Sequence, residues 1–402
     1  MILSEETCNK GRQSEIDCLK AFCIICMILL HSYEECAEDP GGFYNVLVSI
    51  EALTGAGAFM ICMGIGMRYS RKQSPAAFFS RAISLLTVGQ VLNLCRDSIP
   101  SLVLYWVTGD QYFISNSLLV ISADILTFAG IAFLLLGVLK KFHVTDRVIV
   151  VLGLVMNVAT FALSKVFLTT GSYLFDQLLG FFIVTKAESY FSLGSYFVFV
   201  AFGYALGGVY LRIKDKDTLS SRVLRISGPI VLIYYFLRFT RPIPLLPEFF
   251  STERYVMTPA TDAVALCLMT LVILALFHKL LTQSKKEVPA VVSYLSKHIN
   301  EFYCISYVLL SPLGYVLYAV RGEMINGNVL PLLYGFVVIV ACYFIIEFNQ
   351  RVVHFGISNL TETKRWVVYT AIWLISISVF AYAYPQISEY STFWNDYWPM
   401  GE

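Results

Sequence analysis

The sequence predicts an all-α, polytopic membrane bundle of about 10–11 transmembrane helices with a cytoplasmic N-terminus. Three observations lead there. Of 402 residues, 57% are hydrophobic and only 14% are charged, where soluble domains carry roughly 25%. Eleven apolar stretches come near the length of about 20 residues that a membrane helix needs. Lys and Arg are divided unevenly between alternate loops. The composition excludes a disordered chain and a small disulfide scaffold. A net charge of +1 offers nucleic acid no bulk attraction.

The stretches run 16–36, 46–69, 77–95, 116–139, 148–164, 191–211, 226–239, 260–281, 299–319, 329–348 and 366–384. The first holds Asp17 and Lys20 and lacks a small-residue cleavage site, so it reads as a retained signal anchor. The second carries Gly55-Ala56-Gly57-Ala58 and later Gly64 and Gly66, small residues that let helices approach closely. Gln90, Asn93 and Arg96 step along the third at three-residue spacing, a polar stripe facing protein. Asp124 falls near the middle of the fourth, with no cation beside it in sequence, so its partner must come from another helix. The seventh is short and contains Gly228-Pro229, which implies a tilted or broken helix, or one extended toward Thr240. Residues 174–184 are apolar too and suit a re-entrant or interfacial helix. Loops are mostly short and no repeat is visible, so residues 1–402 form one membrane domain.

With eleven spans and the N-terminus inside, 22 of the 29 Lys and Arg fall on inner segments. That is the positive-inside pattern. Acidic residues lead outside, as in Glu34, Glu35, Glu38 and Asp39. Tyr384, Tyr390, Phe393, Trp394, Tyr397 and Trp398 form an aromatic belt at the outer interface. Cys23 and Cys26 have C-x-x-C spacing, but they sit mid-helix without a second ligand pair, so no metal is expected.

Ionisable groups inside spans are costly, and each is a candidate for function. Lys20 and His31 are eleven residues apart, which puts both on one helix face about 16 Å apart along the axis. Asp17 precedes Lys20 by three residues and can pair with it. Two readings fit. In one, Lys20 snorkels inward and His31 anchors the outer interface. In the other, His31 is a catalytic imidazole that takes a proton from a hydroxyl. Glu51, early in the second span, can orient or charge-balance His31. Interhelical hydrogen bonding is the competing role for Glu51, Asp124, Asn93 and Arg96. Arg68, Arg71, Lys72 and Arg81 cluster at the inner surface. The positive-inside rule accounts for most of them, and the phosphates of a nucleotide-bearing donor are the other account. Arg81 is the best placed for that, at the start of a span.

The stretch Arg12-Gln13-Ser14-Glu15-Ile16-Asp17-Cys18-Leu19-Lys20, ending in His31, resembles the opening of the acyltransferase-3 family of integral membrane acyltransferases. Lys20 stands where that family carries an Arg, and His31 takes the place of its His. Residues 58–81, Asp124–Gly130, Glu188–Phe191 and Ile299–Tyr307 resemble further blocks in the same order. Leu310 replaces a late His found in many members, so no second imidazole is expected.

The resemblance implies transfer of an acyl group, commonly acetyl, from cytoplasmic acyl-CoA to a hydroxyl of a cell-surface glycan or glycolipid. That is an O-acetyltransferase-like modification of polysaccharide in the plasma membrane. His31 would be the general base, with Lys20, Asp17 and Glu51 around it and Arg68, Arg71, Lys72 and Arg81 on the donor. Acyl-CoA would be a substrate, with no permanently bound cofactor. The outer segments, Glu34 to Asp39, Asp110 and 240–258, would shape the acceptor site. A transporter or glycolipid flippase using Asp124, Glu51 and His31 is the alternative reading.

Overall fold

The computed structural model describes residues 2–37, 41–164, 170, 172–185, 190–241, 246–247, 258–284, 287–322, 325, 327–354, 356 and 359–387. Glu38, Asp39, Glu188, Ser189, most of 240–258 and the belt residues from Tyr390 onward lie outside these. Sixteen α-helices follow in order among the described residues. They are α1 (Ser14–Cys36), α2 (Gly41–Leu53), α3 (Gly55–Tyr69), α4 (Pro75–Asn93), α5 (Ile99–Thr108), α6 (Gln111–Asn116), α7 (Ile125–Lys141) and α8 (Asp146–Ser164). Then come α9 (Tyr173–Gly180), α10 (Leu193–Tyr210), α11 (Lys216–Thr240), α12 (Ala260–Ser284), α13 (Ala290–Lys297), α14 (Ile299–Arg321), α15 (Leu330–Phe348) and α16 (Glu362–Ala383). The only sheet-like pairings described are the isolated bridges Leu3–Ile213 and Ala37–Ile325.

Among the described residues, ten helical stretches are long and apolar enough to cross a membrane, and a bent pair raises this to eleven. The fold is thus the expected all-α polytopic bundle. Its outer surface is apolar, as lipid requires: Val151, Val155, Ile230, Phe236, Phe336 and Leu374 are exposed on α8, α11, α15 and α16. The central helix is α1, which packs against α2, α3, α12, α13, α14 and α15. Its Leu19, Ile24 and Ile28 have no exposed surface. The α3 and α10 backbones nearly touch. A Cβ added at Gly64 would lie 2.3 Å from the Val200 carbonyl oxygen, and one at Gly203 would lie 2.1 Å from that of Ile61. This is the close approach that the small residues of the second span anticipate.

Three spans depart from the plain helices expected. The second is bent by 42° between α2 and α3, where Thr54 joins Gly55 in a positive-φ conformation (φ +37°). The third continues from α4 through a π-helical turn at Leu94–Ser98 into α5. The fourth is broken: a 3₁₀ turn at Ser117–Ile121 ends in extended backbone, and α7 starts only at Ile125. Asp124 is therefore not mid-helix but the N-cap of α7, accepting hydrogen bonds from Leu126 N–H (2.6 Å) and Thr127 N–H (3.2 Å). The break frees the carbonyls of Val120 and Ser122. Asn93 Nδ2 donates to both, at 3.3 and 3.1 Å. That satisfies backbone which lipid could not.

The seventh span is not short. Helix α11 runs unbroken for 25 residues through Pro229 and is capped by Asp215, which accepts from Thr218 N–H at 2.9 Å. The Thr218 hydroxyl and amide hold the Asp215 carboxyl below its ordinary range. With only 8 residues, α9 is too short to cross, in keeping with an interfacial or re-entrant role for 174–184. Asp110 caps α6 through Tyr112 N–H at 2.9 Å.

Candidate active site

Two cavities lie end to end in the bundle. The larger, of about 570 Å³, is lined by His31, Glu34 and Glu35 of α1 and by Glu51 of α2. Arg96 and Asp97 of the π-turn, the broken backbone Ser122–Asp124, and Tyr303, Tyr307 and Tyr315 of α14 complete this part of its wall. The smaller, of about 380 Å³, is lined by Lys20, Lys72 and Arg81 and by apolar groups such as Phe59, Met63 and Phe133. Tyr303 belongs to both walls. Asp124 faces the larger cavity, and the next residues, Ile125 and Leu126, face the smaller. The partition between them is therefore one side chain and the first turn of α7.

The residues of α1 that were expected on one stripe do face inward, each into its own cavity. His31 is held at both ring nitrogens. Nδ1 lies 2.5 Å from Glu34 Oε2, and Nε2 lies 2.6 Å from the Tyr307 hydroxyl. With Glu34 ionised, Nδ1 carries the proton and Nε2 accepts from Tyr307. Glu34 follows His31 by three residues, one turn along the same face. It occupies the orienting position that the sequence suggested for Glu51, which lines the same cavity.

Around this pair the polar groups form a network. Arg96 bonds Asp97 at 2.7 Å and lies 3.8 Å from Asp124. Its guanidinium sits 4.9 Å from the centroid of the Tyr307 ring. The Tyr303 hydroxyl donates to Asp124 at 3.1 Å, and that of Tyr315 donates to Asp97 at 3.1 Å. Asp124 thus has the partner from another helix that its sequence context demanded. Arg96 and Asp97, adjacent in sequence within the π-turn, both line the cavity.

Asp17 is used differently from expectation. It does not pair with Lys20. It takes a 2.5 Å bond from Arg12 and another of 2.5 Å from the Ser296 hydroxyl, which pin the start of α1 to α13. Arg68 is also engaged elsewhere, with Asp146 at 3.2 Å and the Tyr204 hydroxyl at 3.0 Å. Arg71 is exposed and lines neither cavity. Lys20, Lys72 and Arg81 are another matter. Among the described residues their charged groups make no ion pair or hydrogen bond. The smaller cavity is thus lined by three cations and, among the described residues, by no carboxylate.

Sequence reasoning placed Glu34 only among the residues shaping the acceptor site, not as the partner of His31, and named Tyr303 and Tyr307 only within a family block. The signals were present: Glu34 at i+3 from His31, and two Tyr at i,i+4 on one face of α14. Asp97 had no such signal.

The family model described as "Acyltransferase domain", of the acyltransferase-3 family, matches residues 13–347. The chain belongs to that family. The match covers α1 to within one residue of the end of α15 and agrees with the resemblance drawn from residues 12–31 and the later blocks. It makes the protein a multi-pass membrane acyltransferase. No curated protein and no solved structure matches the acyltransferase.

Proposed function

We propose that this acyltransferase moves an acyl group, commonly acetyl, from acyl-CoA to a hydroxyl of a cell-surface glycan or glycolipid, with His31 as general base. The reading rests on one observation: a cavity rimmed by unpaired cations and a cavity holding a carboxylate-oriented imidazole meet at Tyr303. The donor's phosphates dock on Lys20, Lys72 and Arg81. Its pantetheine arm follows the apolar wall past Met63 and Phe59 toward Tyr303. The acceptor enters the other cavity, where Nε2 of His31 provides the base. Its oxygen attacks the thioester carbonyl and the thiolate leaves. The positive-inside charge pattern supports a donor cavity on the cytoplasmic side of the plasma membrane and an acceptor cavity on the outer side. Only the acyl group then crosses the partition.

The test is binding before chemistry. Acetyl-CoA raises the melting temperature of the purified protein, because a ligand of the native state stabilises it. Free pantetheine, which lacks the nucleotide phosphates, gives a much smaller shift. No shift with acetyl-CoA overturns the donor assignment. Mass analysis of surface glycans from cells lacking the gene then shows which acyl ester is lost.

A further inference from the structure

The geometry around His31 points to Tyr307, rather than the imidazole, as the group that touches the acceptor. We propose that the Tyr307 hydroxyl relays the acceptor's proton to His31. This inference rests on the reading of the larger cavity as the acceptor site.

Neither ring nitrogen of His31 is open to a substrate. Nδ1 is bound to Glu34 at 2.5 Å and Nε2 to the Tyr307 oxygen at 2.6 Å. A base whose only lone pair is already occupied acts through its occupant. Tyr307 is suited to that role. Its phenol lines the cavity. Its ring is fixed by contacts with His31 (centroids 4.7 Å apart) and Tyr303 (5.1 Å). The Arg96 guanidinium over the ring face, 4.9 Å from its centroid, offsets negative charge developing on the phenol oxygen. Tyr307 and Tyr303 are four residues apart on one face of α14, so the relay oxygen lies one turn from the residue that forms the partition.

The step balances. As the acceptor oxygen forms its bond to the acyl carbon, its proton passes to the Tyr307 oxygen. The proton of Tyr307 passes at the same time to Nε2 of His31, giving an imidazolium held by Glu34. The carbon–sulfur bond then breaks. The proton returns from Nε2 through the Tyr307 hydroxyl to the departing sulfur, leaving an ester, free CoA thiol, and tyrosine and histidine as they began.

The experiment uses the full chain in membranes with the native acceptor and acetyl-CoA, and measures release of CoA thiol. Tyr307→Phe keeps the ring and removes only the oxygen. The relay predicts that kcat falls about 100-fold or more. Half-saturation by acetyl-CoA and the acetyl-CoA thermal shift stay within about two-fold of wild type, being set in the other cavity. Incorporation of 3-fluorotyrosine at position 307 restores a hydroxyl on the same ring and recovers turnover. Wild-type turnover in Tyr307→Phe overturns the relay, as does a loss that fluorotyrosine leaves unrepaired. Where Tyr307→Phe does not accumulate, a series of mono-, di- and trifluorotyrosine at 307 replaces it. Rates graded with phenol acidity support the relay, and flat rates overturn it. His31→Ala separates the two layers of argument. An inactive His31→Ala beside an active Tyr307→Phe overturns only the relay, whereas an active His31→Ala overturns the general-base reading beneath it.

Discussion

The two cavities share a wall and treat charge in opposite ways. In the smaller, the charged groups of Lys20, Lys72 and Arg81 make no ion pair or hydrogen bond among the described residues. In the larger, Arg96 is bound to Asp97 and close to Asp124, and His31 is bound to Glu34 and Tyr307. Unpaired charge near a membrane costs free energy unless a ligand or solvent supplies the counter-charge. Paired charge in a confined space costs less and is fixed in direction, which suits proton transfer. Under the proposed function, the contrast separates a place that attracts a charged molecule from a place that acts on an uncharged group.

The largest expected effect tests the second half of that contrast. His31→Ala lowers acyl transfer about 10²–10⁴-fold while acetyl-CoA still stabilises the protein. Activity near wild type, at matched amounts in membranes, removes the chemistry from the larger cavity. Next is Arg96→Ala. It leaves Asp97 and Asp124 without their buried cation and costs about 3–5 kcal/mol, read as a fall in melting temperature of detergent-purified protein. An unchanged melting temperature means that Arg96 does not hold the charges of Asp97 and Asp124 in the fold. Lys20→Ala tests the first half. It raises the acetyl-CoA concentration for half-maximal rate about 10-fold and leaves kcat nearly unchanged. A fall in kcat with unaltered half-saturation moves Lys20 from donor binding to catalysis. The smallest effect belongs to a charge in neither cavity. Asp215→Ala slightly destabilises the start of α11 without changing kinetics. Because the Asp215 carboxyl is held below its ordinary range in the folded protein, this difference is full above that range. It vanishes as pH falls through the folded value, which thermal melts at pH 7 and under acid conditions detect.

The sequence was most informative where a physical rule has a fixed period. Spans came from apolar length, and the shared inward face of Lys20 and His31 came from eleven residues at 100° each. The charge that Asp124 needed was inferable, but the identity of its partner was not. That partner, Arg96, stands on the third span, and no rule of spacing relates positions on different helices. The role of Asn93 was equally hidden, because it answers a break in the fourth span that hydropathy averages away. Asp17 misled for a simple reason: an i,i+3 cation was available in Lys20, but Ser296 and Arg12 compete for the same carboxylate. Glu51 was preferred over Glu34 as partner of His31 because it lies within an apolar stretch, although Glu34 was nearer on the same helix.

The π-turn at Leu94–Ser98 has a consequence for insertions and deletions. Such a turn holds one residue more than the α-helix it interrupts. Deleting a single residue there would let α4 and α5 fuse into a regular helix with almost the same composition. The residues on either side would keep roughly their places, because the residue lost is the one the turn absorbs, but the wide turn itself would disappear. Arg96 and Asp97 sit in that turn, so their contacts with Asp124 and Tyr315 are what the deletion would disturb. At this point the number of residues matters beside their identity, because the wide turn exists only while its extra residue is present.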